Sequence, residues 1–195
     1  MAELNILVVA GSLNDRSSTR MITKYVAEEW RKQGCSVDEV DLARETLALF
    51  DPDVAYDGAV YLTLKPRVDK ADVIVLGTPD YHGTISSPLK NFLDHFWQEF
   101  AGKLFATIVA SYDKGLTVTD HLRTVARQCY AWSMPYAVAF SDRDDVVSGV
   151  IKSEAFQKRV EMFVRDVRVY GLLLAEQRRK DLAGSEPGFL ARMRK

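Results

Sequence analysis

One ten-residue stretch carries the densest chemistry in the chain. Gly11-Ser12-Leu13-Asn14-Asp15-Arg16-Ser17-Ser18-Thr19-Arg20 follows the apolar run Ile6-Leu7-Val8-Val9-Ala10. Ser12, Ser17, Ser18 and Thr19 offer hydroxyls, Asn14 an amide and Arg20 a charged fork. They surround the expected start of a helix, where the first backbone N–H groups have no internal acceptor and favour an anion. An ordinary N-cap accounts for a single hydroxyl, not for four hydroxyls and an arginine. The stretch lacks the Gly-Lys-Ser/Thr ending of a P-loop and the spaced glycines of a dinucleotide fingerprint. Crowded hydroxyls suit the three oxygens of a terminal phosphate monoester, whereas a bridging pyrophosphate prefers bare glycine backbone.

A second cluster, Thr78-Pro79-Asp80-Tyr81-His82-Gly83-Thr84, follows the apolar run Val73–Gly77. Pro79 and Gly83 fix a turn. The amides from Asp80 to Gly83 are expected to meet the edge of a flat heterocycle, with Tyr81 covering its face. His82 has no visible partner for proton transfer and reads as a positioning or surface residue. A third loop, Ser111-Tyr112-Asp113-Lys114-Gly115, follows Leu104–Ala110 and is expected to close around the far edge of the same ring.

No Ser-His-Asp or Cys-His constellation can be assembled, so no side chain is assigned as catalytic. The three histidines are scattered, and Cys35 and Cys129 lack metal-type spacing. No metal site is expected, and the cysteines read as reduced and structural.

The elements that must position these loops alternate. Apolar runs predict strands over Leu4–Ala10, Val73–Gly77 and Leu104–Ala110; more polar Ser36–Leu42 reads as a strand near an edge, and Tyr136–Phe140 as the last strand. Helical spacing predicts helices over about Ser18–Gln33, Ala59–Lys70, Ser87–Phe100 and Leu116–Ala131. A long final helix is marked by Phe156, Val160, Phe163, Val167 and Leu174. Five strands alternating with five helices imply an α/β fold: a flavodoxin-like parallel sheet, order 2-1-3-4-5, with helices on both faces. Ligands in such folds bind outside the carboxyl ends of the strands, near the switch between strands one and three. All three loops fall there.

The 195 residues, 47% hydrophobic and 27% charged, read as one soluble domain over 1–182 with a basic tail over 183–195. A net charge of −1 and the lack of a basic stripe argue against nucleic acid or anionic lipid as partners. Met1–Asn5 has no Lys or Arg, and the apolar run behind it is too short for a signal peptide or membrane span, so a cytoplasmic location is expected.

The first loop fits G-S-x-x-x-x-S-x-x-R. The second, with Leu89-Lys90-Asn91 and Asp94 behind it, fits P-x-Y-x-G…L-K-N-x-x-D. Together, in this order and at this separation, they resemble the NADPH-dependent FMN reductase family over about residues 1–170. The resemblance implies bound FMN, with NADPH or NADH as co-substrate. It places the 5′-phosphate at Ser12, Ser17, Thr19 and Arg20 and the ring at Pro79, Asp80, Tyr81 and Gly83; Asn14 and Ser18 in the same first loop and His82 in the same turn are expected to join the cofactor site. The third loop, through Ser111, Tyr112, Asp113 and Gly115, is expected to complete the site. The reaction implied passes a hydride from NAD(P)H to FMN and then electrons to a small acceptor such as a quinone, azo compound, metal oxyanion or free flavin, by ping-pong kinetics.

The resemblance also implies a homodimer or homotetramer. Helix 88–100 is expected to carry it, with Phe92 and Trp97 as an exposed aromatic pair and Lys90 and Asp94 near the interface. The chain departs from the family pattern in three places. Many members have arginine at the position of Asn14, for which Arg16 can substitute. Many have asparagine at the position of His82, and a third loop richer in glycine. An FMN electron carrier of the flavodoxin type is the alternative, though the chain lacks the acidity and the Thr-rich loop of those proteins. A phosphorylation-switch receiver is excluded by Gly11-Ser12 and Thr78-Pro79 where paired acids and a phosphorylatable aspartate would stand.

Overall fold

The computed structural model describes residues 3–147 and 149–194. Its central sheet contains β1 (Asn5–Ala10), β2 (Ser36–Asp41), β3 (Val73–Pro79), β4 (Leu104–Ala110), β5 (Trp132–Ser133) and β6 (Val138–Phe140). The order is β2-β1-β3-β4-β5, all parallel, with β6 also pairing with β4. The helices are α1 (Ser18–Lys32), α2 (Ala59–Lys70), α3 (Ser87–Asp94), α4 (Leu116–Gln128) and α5 (Glu154–Ala183). A small antiparallel hairpin, β7 (Val146–Val147) and β8 (Val150–Ile151), precedes α5.

Alternation along the strands builds two cores. Leu7, Val9, Ile74, Leu76 and Phe105 face Leu64, Val68, Phe92 and Leu122 of α2, α3 and α4. Ile6, Val8, Val73, Val75 and Ala106 face Ile22, Val26 and Trp30 of α1 and Val160, Phe163 and Val167 of α5. Strands buried on both faces read as continuous apolar runs, as the sequence has them. Trp30 also donates from its indole Nε1 to Val164 O at 2.9 Å, tying α1 to α5.

The fifth position of the sheet differs from the single strand expected over Tyr136–Phe140. It is split into β5, beside Leu104–Phe105, and β6, beside Ile108–Ala110. Pro135 lies between them and has no N–H to continue a ladder.

The helix expected over Ser87–Phe100 also ends early, at Asp94, and a 3₁₀ turn covers Gln98–Phe100. His95 is buried and its Nδ1 lies 2.7 Å from Asn91 O, the carbonyl that its own N–H would take in a continuing helix. The ring nitrogen therefore takes the bond that the backbone would need. The break turns Phe92, Phe96 and Phe100 all inward. Phe92 is thus in the core at 0% exposure, contrary to the expected surface pair, while Trp97 stays outside at 52%.

The end of the chain folds back. Leu190 is buried in a 3₁₀ turn (Phe189–Met193), where a Cβ on Gly102 would come within 2.8 Å of its Cδ1. Arg194 donates to Asp181 O at 2.9 Å and Glu186 O at 2.6 Å, so this basic residue of the tail serves docking.

Candidate functional site

Two glycines let the carboxyl ends of β1 and β3 meet α1 and α3. Gly11 N–H donates to Gly77 O at 2.8 Å, and a Cβ on Gly11 would come within 2.9 Å of Leu89 Cβ. A Cβ on Gly77 would lie 2.4 Å from Thr23 Cγ2. Neither contact is tolerable, so any side chain here would push a helix off the sheet. The Ser86 hydroxyl then donates to Gly11 O at 2.6 Å, locking the first loop to the start of α3.

The first loop winds into α1 through short-range bonds. Asn14 N–H donates to Ser12 Oγ at 3.3 Å, and Arg16 N–H to Asn14 Oδ1 at 2.9 Å. Ser17 caps the helix by accepting from Arg20 N–H at 3.3 Å. The amides of Ser18 and Thr19, ahead of that cap bond, have no acceptor among the described residues. They point out of the helix N-terminus with its partial positive charge.

A cavity of about 230 Å³ lies over these amides. It is lined by Ser12, Asn14, Arg16, Ser17, Ser18 and Thr19 from the first loop and Pro79, Asp80 and Tyr81 from the second. Ala110, Ser111 and Tyr112 line it from the third, and Asp142 from the loop after β6. The structure thus brings together ten of the sequence-derived positions from three separate loops (Ser12, Asn14, Ser17, Ser18, Thr19, Pro79, Asp80, Tyr81, Ser111 and Tyr112) and adds Arg16, Ala110 and Asp142.

Arg20, His82, Gly83, Asp113 and Gly115 do not line the cavity. Arg20 turns away from it. Its guanidinium donates to Ser12 O at 3.1 Å and pairs with Asp41 at 3.2 Å, at the end of β2. It braces the loop from behind, and Arg16 is the cation that faces the cavity. Gly115 instead starts α4 with φ +59, where a Cβ would meet Val109 Cγ1 at 2.7 Å.

The second loop departs from expectation in its amides. Tyr81 and Thr84 exchange backbone bonds at 3.1 and 3.2 Å around His82 and Gly83, which have φ +56 and +79, the double positive φ of a tight hairpin turn. Asp80 N–H donates to Ala110 O, and Gly83 N–H to Asp80 Oδ1, each at 2.8 Å. Of the amides from Asp80 to Gly83, only that of His82 lacks an acceptor among the described residues. The turn consumes its own donors and presents a rigid wall, not a row of free N–H groups.

Asp80 also joins the second and third loops: its Oδ2 accepts from Ser111 Oγ at 2.8 Å. Ser111 Oγ in turn accepts from Asp113 N–H at 3.1 Å. From α4, His121 Nδ1 lies 2.7 Å from Thr84 Oγ1 and holds the turn from outside. Tyr81 and Tyr112 stand exposed at the mouth, with the Arg143 guanidinium 4.7 Å above the Tyr112 ring centre.

Asp142 was not singled out from the sequence. Its carboxylate accepts from the Ser18 hydroxyl, at the first residue of α1. The one signal available was its place after β6, since the carboxyl end of any strand in this fold can reach the site.

Fold and cavity together define an open α/β protein with an anion cradle at the switch between its first and third strands. The chain belongs to the NADPH-dependent FMN reductase family, whose model matches residues 4–145. It is an enzyme of that family, for which FMN and NADPH are implied. It is 28% identical over 173 residues to the FMN-dependent NADPH-azoreductase of Staphylococcus haemolyticus, spanning 83% of this chain and 92% of that one. The flavoenzyme NAD(P)H:(acceptor) oxidoreductase FerB of Paracoccus denitrificans has a similar fold, with a TM-score of 0.71, 19% identity and coverage of 89% of this chain and 98% of that one. An NADH:FMN oxidoreductase (EMOB) in its apo form gives a TM-score of 0.70 at 16% identity, covering 86% and 89% of the two chains.

The residues present fit the phosphate end of FMN. Two unspent amides, a ring of hydroxyls and Arg16 converge on one cavity, and no backbone donor there needs to break a bond to receive an anion. Among the described residues no group of side chains could hold a metal ion, and no helix is long and apolar enough to cross a membrane. Cys35 and Cys129 are unpaired, and burial pushes the Cys129 thiol up to about 11, which keeps it unreactive.

Proposed function

We propose that this chain holds FMN with its 5′-phosphate in the Ser12–Thr19 cradle and its ring against the walls formed by Pro79–Tyr81 and Ser111–Tyr112. It uses the cofactor to pass electrons from NADPH or NADH to a small acceptor. The observation that carries this reading is the pair of free amides at Ser18 and Thr19, ringed by hydroxyls and Arg16. When bound, FMN supplies two-electron chemistry between a nicotinamide and an acceptor.

The chain's own residues bind and orient. A hydrogen bond to a charged group is worth roughly 1.5–3 kcal/mol, and about 1.4 kcal/mol is tenfold in affinity. The cradle therefore dominates cofactor affinity. Asp80 holds the two walls in register through its bonds to Gly83 and Ser111. The mouth between Tyr81 and Tyr112 is open and aromatic, which suits flat molecules entering one after the other. Shared use of one space gives ping-pong kinetics.

An azo compound is the favoured acceptor class, on the similarity to the staphylococcal azoreductase. Quinones, metal oxyanions and free flavin are the competing substrates to assay beside it. The test is NADPH and NADH oxidation by purified protein with added FMN and an azo dye or a quinone. Parallel lines in double-reciprocal plots are expected. No oxidation of either nucleotide with any of these acceptors overturns the reading.

Self-association is part of the same proposal, with a changed surface. Phe92 is unavailable, but Trp97 remains exposed and its indole reaches Gln128 O at 3.4 Å. Beyond it lie half-exposed Tyr130, Trp132 and Phe189, with Phe189 stacked on Tyr130 at 6.4 Å. A dimer or tetramer that covers Trp97 is expected in light scattering, and Trp97→Glu is expected to dissociate it. A monomeric native protein refutes this.

A further inference from the structure

A carboxylate stands in a cradle built for an anion. Asp142 lines the same cavity as Ser12, Ser17, Ser18 and Thr19, and its Oδ1 accepts from the Ser18 hydroxyl. Its Oδ2 has no partner among the described residues. The turn that carries it is well fixed: Ser141 N–H donates to Asp145 Oδ2 at 2.9 Å, and Asp145 N–H returns to Ser141 O at 3.0 Å. A fully ionised phosphate placed over the Ser18 and Thr19 amides would face Asp142 with no proton between the two sets of oxygens. A singly protonated phosphate would put its hydroxyl there, as a donor to the carboxylate.

We propose that Asp142 makes the cradle selective for the singly protonated form of a phosphate monoester. This rests on the FMN reading above and adds a rule to it: the pH of the solution sets how tightly the cofactor is held. The amides and hydroxyls supply donors to the ionised oxygens, and Asp142 supplies the one acceptor that a P–OH group requires. The other charged groups facing this point are Asp15 and Arg16 from the first loop, Asp80 from the second and Arg143 from the turn of Asp142 itself. Exposed His82 stands outside the cavity lining. Both Asp80 oxygens already accept from Gly83 and Ser111, and Asp15 lies outside the lining of this cavity, so Asp142 is the carboxylate lining it with an oxygen to spare.

The second ionisation of a phosphate monoester lies near about pH 6. FMN binding by the cofactor-free protein is to be titrated by flavin fluorescence from about pH 5.5 to about pH 8.5 across that ionisation. Riboflavin, which lacks the phosphate, is the control for groups that sense only the ring. Native protein is expected to bind FMN about tenfold more weakly at the alkaline end, the worth of one hydrogen bond to a charged group. Asp142→Asn, which offers an amide donor in the same shape, is expected to remove that slope, and Asp142→Ala to flatten it likewise. Riboflavin binding is expected to be level in all three. Equal FMN slopes in native protein and both variants, or a level native profile, overturn the proposal while leaving FMN binding intact. No FMN binding at any pH overturns the functional reading and this proposal together.

Discussion

The two ends of the sheet treat their helix termini in opposite ways. At the carboxyl end, α1 begins with amides that the chain leaves unspent. At the amino end, α2 finishes against Lys103, whose buried ammonium donates to Val68 O and, at 2.9 Å, to Asp69 O. Nearby, Arg178 donates to Ala101 O at 2.9 Å. Parallel strands with crossover helices place every helix N-terminus at one end and every C-terminus at the other. This chain fills the negative end with its own cations and keeps part of the positive end for a ligand. A terminus whose carbonyls are satisfied from within contributes stability through those hydrogen bonds, and one left open contributes affinity.

The largest expected effect lies at the closed end. Lys103→Ala removes a buried stem and two hydrogen bonds to carbonyls, and is expected to cost roughly 2–4 kcal/mol in denaturant unfolding. FMN affinity should not change; a matching loss of affinity would break the division between the two ends.

The same lysine makes a pH prediction. Burial, aided by Arg178, lowers its ammonium from 10.5 to about 7. Below about 7 both folded and unfolded chains carry the proton, and folding bears the full cost of burying the charge. Between about 7 and 10.5 the unfolded chain binds more proton, so stability rises with pH. Relative to Lys103→Met, native protein is therefore expected to gain stability from neutral to alkaline pH. A constant difference between the two would refute the assignment.

At the open end, Ser17→Ala is expected to weaken FMN binding about tenfold and to cost about 1 kcal/mol in stability through the lost cap. Riboflavin binding should be nearly unchanged. Asp80→Ala sharpens the contrast between cradle and wall: it is expected to weaken FMN and riboflavin alike, by roughly threefold to tenfold, through one lost hydrogen-bonded brace. A selective loss of FMN in that variant would mean that the second loop also reads the phosphate.

The sequence makes the central strands plain because their burial on both faces leaves unbroken apolar runs such as Val73–Leu76. It marks the cradle because hydroxyls gather around one helix start. What it hides depends on partners far along the chain. Arg20 resembles a phosphate ligand until Asp41 arrives from the end of β2 and takes its charge. The Asp80–Gly83 amides look free until the turn closes on itself. Helix 87–100 looks continuous because a histidine at position 95 has ordinary helical spacing; its capture of Asn91 O follows from burial, which spacing does not report. Pro135 was a visible warning that the last strand would be interrupted.

That interruption has a consequence for how copies of the chain can meet. One edge of the sheet consists of β5 and β6, two and three residues long and separated by a proline. The other edge, β2, carries exposed Asp38 and Glu39, held by Arg67 and Arg31. Neither offers the long, flat, unpaired ladder on which a second strand could template, and charges and breaks of this kind are how sheets resist edge-to-edge growth. Association through side chains such as Trp97 remains open to this molecule, while fibrous extension of its sheet is closed at both margins.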